Sequence, residues 1–314
     1  MDTLAVVFDR PESLSVKKLS LIAASDSDVV VDVEWSGIST GTEKLLWTGR
    51  MPDFPGMGYP LVPGYETVGR VTEAGASSGR VAGERVFVAG SRCFEHARGL
   101  FGGAASRLIV PGARAVPVRA ELEERAILLS LAATAYHAIR GGFGSKPDLV
   151  IGHGVLGRLL ARLAVGLGGG KPVTVWETNP ARRSGAHGYT VCDPADDPRK
   201  DYRAIYDVSG DSMLLDALIG RIARGGEIVL AGFYSQPLSF NFAPAFQREA
   251  RLRVAAEFEP SDLQAVALLA GVQSHLLDDL ISHRSDATDA AAAYETAFTD
   301  SSCVKMVLDW RACA

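Results

Sequence analysis

The chain has 314 residues, 47% of them apolar and 22% charged, with a net charge of −5. That length is enough for two hydrophobic cores, since one core rarely grows past roughly 250–300 residues, and the balance excludes a disordered chain. Mild acidity excludes the basic footprint of a nucleic-acid binder, no apolar run is long enough to span a bilayer, and the absence of a basic leader gives the expectation of a cytoplasmic protein.

Short strands come first, at Leu4–Phe8, Val29–Glu34, Thr67–Glu73 and Arg85–Val88, separated by Gly, Pro, Ser and Asp clusters. After Glu121 the texture changes: "ELEERAILLSLAATAYHAIRGG" carries helical spacing and ends at paired glycines. From Pro147 onward strands alternate with helices. "DLVIG" precedes a helix over Val155–Leu167, "PVTVWE" follows it, and "AIYDVSG" leads into a helix over Ser212–Arg224 and then "GEIVLAGF". This alternation implies a parallel, doubly wound sheet. An Ala-rich helix (Ala287–Phe298) and the closing strand "CVKMVLDW" complete the chain, and that strand is expected to return to the first domain. The expected division is an all-β domain over 1–122, completed by 276–314, around a dinucleotide domain over 123–275. Four cysteines (Cys93, Cys192, Cys303, Cys313) lie far apart without a CxxC pair and read as free thiols.

The strongest local signal is "LVIGHGVLGRLLARLAVGLGG", with Gly152, Gly154 and Gly157 in GxGxxG spacing between a strand and a helix. The first glycine permits a tight turn, the second lets backbone approach a diphosphate, and the third lets helix and strand pack closely. The helix start, Val155 and Leu156, supplies amide donors. Glu177 follows 20 residues after Gly157, at the end of "PVTVWE". An acid there accepts from both ribose hydroxyls and repels a 2′-phosphate, which favours NAD over NADP; Arg182 and Arg183 in "NPARR" soften that preference.

Several stretches together resemble the medium-chain dehydrogenase/reductase family over nearly the whole chain. "SGISTGTE" resembles its GICGTD, "LVPGYETVGRV" its PGHExxGxV, and "FGGAASRLIVP" its GxxAEyvvVP. "SLAATAYHAI" resembles its helix entering the cofactor domain, and "ARGGEIVLAGF" the strand under the nicotinamide. The resemblance implies a GroES-like catalytic domain joined to a Rossmann domain, with Thr134, Gly232 and Phe233 on the nicotinamide side. It also implies a homodimer formed through the cofactor-domain sheet. The departures matter more. Ser39 stands where the zinc enzymes place cysteine and Tyr65 where they place histidine, and the four-cysteine structural-zinc lobe is missing. Serine, tyrosine and one glutamate are a poor ligand set, so no metal site is expected.

Without a Lewis acid, the proton of an alcohol must leave through side chains. Ser39, Thr42, Glu43, Tyr65 and Glu66 are the candidates, with His96 and His137 beyond them. The reading is a hydroxyl relay from Ser39 or Tyr65 with Glu66 or Glu43 as the ultimate base; a structural role for either acid stands beside it. "WSGISTGTEKLLWTGRMPDFPGMGYPLVPGYE" and "ARGLFGGAASRLIVPGARAVPV" are similar to a zinc-less branch of the family. That branch implies oxidation of a hydroxyethyl substituent on a chlorin-type tetrapyrrole. For such a flat apolar substrate the candidates are Trp47, Arg50, Phe54, Met57, Tyr59, Phe94 and His96, with Lys44 or Arg50 near its carboxylate. The alternatives are a zinc-free NADPH-linked quinone or enoyl reductase, and a non-catalytic dinucleotide-binding protein.

Overall fold

Val-rich runs form strands in the first part of the chain, and those over Asp2–Arg10 and Asp28–Ile38 are buried along most of their length. The computed structural model describes residues 1–52, 55–141, 146–168, 172–273 and 275–313. Its strands begin with β1 (Asp2–Arg10), β2 (Ser13–Ser20), β3 (Asp28–Ile38), β4 (Leu61–Val62) and β5 (Thr67–Ala74). They continue with β6 (Arg85–Val88), β7 (Arg98–Gly99), β8 (Arg107–Pro111) and β9 (Ala115–Pro117), and α1 (Thr42–Trp47) follows β3. Next come α2 (Leu129–Arg140), β10 (Leu149–Ile151), α3 (Val155–Gly166), β11 (Thr174–Trp176), β12 (Thr190–Cys192) and β13 (Tyr202–Asp207). After these are α4 (Leu215–Ile219), β14 (Ile222–Leu230), α5 (Phe242–Gln247), β15 (Arg251–Val254) and α6 (Pro260–Val272). β16 (His283–Asp286), α7 (Ala290–Thr299) and β17 (Met306–Asp309) close the order.

The chain divides into two compact units, Met1–Ser130 with Leu280–Ala314, and Leu131–Asp279. In the first, β3 is the organising strand. It pairs with β5 along one edge, and along the other with β8 and then, nearer Ile38, with β17. The sheet order is β16-β17-β3-β5-β6-β9, and a second sheet runs β2-β1-β4-β7. Inward residues of both sheets, among them Val6, Phe8, Val31, Ile38, Leu61 and Leu108, form one core with Tyr294 of α7 and Trp310. Each large apolar side chain so buried contributes roughly 1.5–3 kcal/mol.

The second unit is a six-stranded, all-parallel sheet ordered β12-β11-β10-β13-β14-β15. Counted within the unit this is the doubly wound dinucleotide order, whose switch point lies between β10 and β13. The glycine motif follows β10 at that point. No helix among the described residues is long and apolar enough to cross a membrane.

Three elements differ from expectation. The segment after Glu121 is not one helix: Ala120–Leu128 is a 3-10 stretch broken at Glu123 (φ 46°), and α2 starts only at Leu129. The expected helix Ser212–Arg224 shrinks to α4, because Ile222 already pairs with Tyr202 as part of β14. Arg221 there stacks on Trp176 and donates to Arg199 O at 3.0 Å, so tertiary contacts override the helical pattern. The third is α6, which the apolar pattern did not reveal. Its start is written in "EPSD": Pro260 enters the first turn, and fully buried Asp262 accepts from Glu259 N at 2.9 Å as half of a capping box. Asp262 also takes His137 Nδ1 at 2.7 Å and Arg140 at 3.0 Å. Asp262→Ala should lower unfolding stability by about 2 kcal/mol with an unchanged denaturant slope, read in urea melts.

Candidate active site

β3 ends at Ile38, and the chain turns at Gly41 into α1, which leaves Ser39 at the end of a buried strand. Tyr65 stands two residues before β5. Ser39 Oγ and Tyr65 Oη are 2.5 Å apart, and the Thr42 hydroxyl is a second neighbour of the phenol. Burial, reinforced by the charge of Glu66, pushes the Tyr65 phenol up, so it stays protonated at neutral pH.

Two fully buried carboxylates flank this pair in different environments. Both oxygens of Glu66 accept from Lys305 Nζ, at 2.9 and 2.6 Å, and the same ammonium donates to Ile38 O at 3.1 Å. One cation thus holds the residue before Ser39 and the residue after Tyr65. Gly37 makes room for this, since a Cβ there would lie 2.2 Å from Glu66 Oε2. Glu43 instead accepts from neutral donors, Ser39 N at 2.9 Å and Tyr294 Oη at 2.6 Å. Burial, partly opposed by those two bonds, pushes its carboxyl up to about 7. Lys305 and Tyr294 were absent from the sequence candidates; a lysine inside the apolar run "CVKMVLDW" was the available signal.

Zinc needs three or so nitrogen, sulfur or carboxylate ligands. Here two members of the set are neutral hydroxyls and the third, Glu66, is engaged by a cation. Among the described residues no group of three or more His, Cys, Asp or Glu side chains is placed to hold a metal. These residues do not fit the family's catalytic zinc.

In the second unit, Gly152 has φ +97°, and a Cβ on Gly157 would lie 1.9 Å from Gly152 O. Both positions therefore require glycine. Gly154 begins α3; a Cβ there would meet nothing within 4 Å, and no side chain caps the helix. The amides of the first turn, at Val155 and Leu156, keep donors for an anion, so the loop fits a dinucleotide diphosphate. Just past β11, Glu177 accepts from His153 N at 3.1 Å and Asn179 N at 2.8 Å. Arg183 is already engaged, with Glu177 O at 2.8 Å, Thr178 O at 3.0 Å and Asp193 at 2.5 Å. Arg182 is half-buried in the same turn, and Thr134 is half-buried on α2. Gly232 N bonds to Asp207 O at 3.0 Å, and Phe233 beside it is 42% exposed.

The candidates for an aromatic slot go elsewhere in part. Phe94 is buried in the core of the first unit, and Trp47, Met57 and Tyr59 pack against that core. Trp47 meets Phe8 edge-on, and Tyr59 donates to Leu46 O. These four are satisfied within their own unit because the loop's apolar residues find a core before they find a ligand. Arg50 is exposed, with Nε on Thr48, and Lys44 donates to Phe298 O at 2.8 Å. His96 lies at the surface, 3.8 Å from Glu95. His137 is no free base, since Asp262 holds it. Phe54 lies outside the described residues. None of the four cysteines forms a disulfide among the described residues.

Two outcomes follow from the paired carboxylates. Lys305→Met leaves Glu66 without its cation and should cost about 3–5 kcal/mol in denaturant melts; adding Glu66→Leu should restore most of it. Glu43 has a folded-state pKa above its unfolded value, so its contribution is complete below about pH 4.5 and lost as pH rises through about 7. Glu43→Gln mimics the protonated acid. Relative to it, the wild type should lose stability on the order of 3 kcal/mol across that window, measured by melts at several pH values.

Residues 25–120 match the alcohol dehydrogenase GroES-like domain. The chain is 54% identical to the 2-desacetyl-2-hydroxyethyl bacteriochlorophyllide A dehydrogenase of Cereibacter sphaeroides, covering 100% of both chains. It is 53% identical to the protein of the same name from Rhodobacter capsulatus, over 99% of each. Among solved structures, an alcohol dehydrogenase from Escherichia coli CFT073 complexed with NADH shares the fold, with a TM-score of 0.81, 21% identity, and coverage of 98% of this chain and 99% of that one. The chain is an alcohol-type dehydrogenase and belongs to the medium-chain dehydrogenase/reductase family.

Proposed function

We propose that the chain oxidises the 3-(1-hydroxyethyl) substituent of a bacteriochlorophyllide to 3-acetyl, with NAD as hydride acceptor and without zinc. The observation that carries this reading is the 54% identity, over the whole of both chains, to a dehydrogenase named for that pigment. The carbinol loses its C–H pair as hydride and its O–H as a proton, and a carbonyl forms. A bound nicotinamide ring supplies the hydride acceptor.

The chain's own residues handle the proton. Ser39 Oγ and Tyr65 Oη, 2.5 Å apart, receive the carbinol hydrogen bond and pass its proton on. Glu43, with a carboxyl near 7 beside the Ser39 amide, suits the terminal base at neutral pH. Glu66, held by Lys305 through both oxygens, frames the pair. The pigment's conjugated ring stabilises positive character at the carbinol carbon as hydride departs, so hydrogen bonds suffice where an aliphatic alcohol needs a Lewis acid. Glu177 at the end of β11 suits a ribose diol, and the engagement of Arg183 removes one partner for a 2′-phosphate. Exposed Arg50 is the partner for the pigment's carboxylate. This reading includes a cytoplasmic homodimer joined along the outer edge of β15, which has β14 as its one neighbour among the described residues.

Purified protein incubated with a 3-hydroxyethyl bacteriochlorophyllide, NAD and a metal chelator should shift the pigment's long-wavelength absorption band. Ser39→Ala and Tyr65→Phe should each lower kcat by roughly 10²-fold or more. Glu43→Gln should abolish the inflection of kcat near pH 7. No band shift, or activity lost to chelator and regained with zinc, defeats the reading; unchanged kcat in both hydroxyl variants defeats the relay.

A further inference from the structure

Two buried side chains that the glycine motif does not demand converge on one carbonyl in the turn after β11. His153, within the glycine loop, is fully buried, and Arg158 on α3 is 5% exposed. His153 Nδ1 lies 2.6 Å from Arg182 O, and Nε2 lies 2.8 Å from Tyr189 Oη. A carbonyl only accepts, so Nδ1 carries the proton and Nε2 accepts from the tyrosine. Burial, partly opposed by the bond to Arg182 O, pushes the imidazolium pKa down to about 4, so this donor pattern holds across physiological pH.

Arg158 reinforces the same point. Its Nη2 donates to Arg182 O at 3.1 Å, and its Nε donates to His153 O at 3.0 Å. Gly185 (φ +82°) leaves space for the guanidinium, since a Cβ there would lie 2.4 Å from Nη1. His153 meanwhile donates its own amide to Glu177 Oε2 at 3.1 Å. Its backbone therefore holds the acid that opens the turn, while its side chain holds the carbonyl near the turn's end.

We propose that His153 and Arg158 are positioning residues for cofactor preference: by clamping the Arg182 carbonyl they hold the turn from Glu177 to Arg183 in the form that accepts a ribose diol and rejects a 2′-phosphate. This rests on the NAD reading above. Neither residue is asked to touch the reacting atoms, so the signature lies in binding, and in discrimination above all.

The test is the dissociation constants of NAD and NADP, by calorimetry on the full chain, for the wild type, His153→Leu, His153→Asn and Arg158→Met. The asparagine amide sits where the Nδ1–H donor sat. His153→Leu and Arg158→Met should each weaken NAD about tenfold and weaken NADP less, so the preference narrows. His153→Asn should restore the wild-type ratio, and kcat at saturating NAD should change less than about twofold in all three. Equal losses for NAD and NADP, or an asparagine variant that behaves like leucine, overturn the proposal. If His153→Leu fails to fold, the Arg158→Met ratio decides. A wild type without preference for NAD removes the NAD reading and this inference with it; a wild-type preference untouched by the substitutions overturns the inference alone.

Discussion

The pairing of Lys305 with Glu66 is the constraint on which the candidate site depends. Two opposite charges without solvent are costly to bury, and their attraction offsets that cost only when the remaining donors and acceptors are matched. Here the third hydrogen bond of the ammonium, to Ile38 O, is what makes the pair more than a compensated burial. It ties the residue before β17, the end of β3 and the segment before β5 together at the level where Ser39 faces Tyr65. The missing side chain of Gly37 is part of the same arrangement, because any Cβ would displace the carboxylate.

Glu43 and Glu66 carry the same functional group in two different buried environments. A cation, Lys305, donates to both oxygens of Glu66. Neutral donors leave Glu43 to the effect of burial, and it moves toward the working pH of a general base. Two carboxyls with environments that diverge in this way are the pattern by which one site separates an acid–base role from a structural one. In the cofactor unit Glu177 is oriented by two backbone amides, one on each oxygen, which leaves further acceptor capacity on both.

What the sequence made legible was local. Strand, glycine turn and helix lie within some twenty residues, so the strand–turn–helix around Gly152, Gly154 and Gly157 was readable from spacing, and the parallel sheet from the alternation of elements. The hydroxyl pair was readable from two short motifs, but its contact was not, since nothing in either motif states that Ser39 and Tyr65 touch. Lys305 escaped because its partner is 239 positions away and a lone lysine in an apolar strand ordinarily marks an edge or a solvated face. The aromatic loop was ambiguous for the opposite reason: Trp47 and Tyr59 carry the same apolar signal whether they face a pigment or a core. The shortened helix α4 shows a third limit, where a ladder to Tyr202 outweighs a helical pattern.

Sequence separation between Lys305 and Glu66 has a kinetic side. The whole cofactor unit, Leu131–Asp279, lies between the two halves of the charge pair. Contacts this distant along the chain close slowly, because loop entropy is spent before the attraction is gained. Until then Glu66 lacks the cation that offsets its burial. Forming the pair therefore carries the entropy of closing a chain segment of 239 positions, which pairing between neighbouring elements of either unit does not carry.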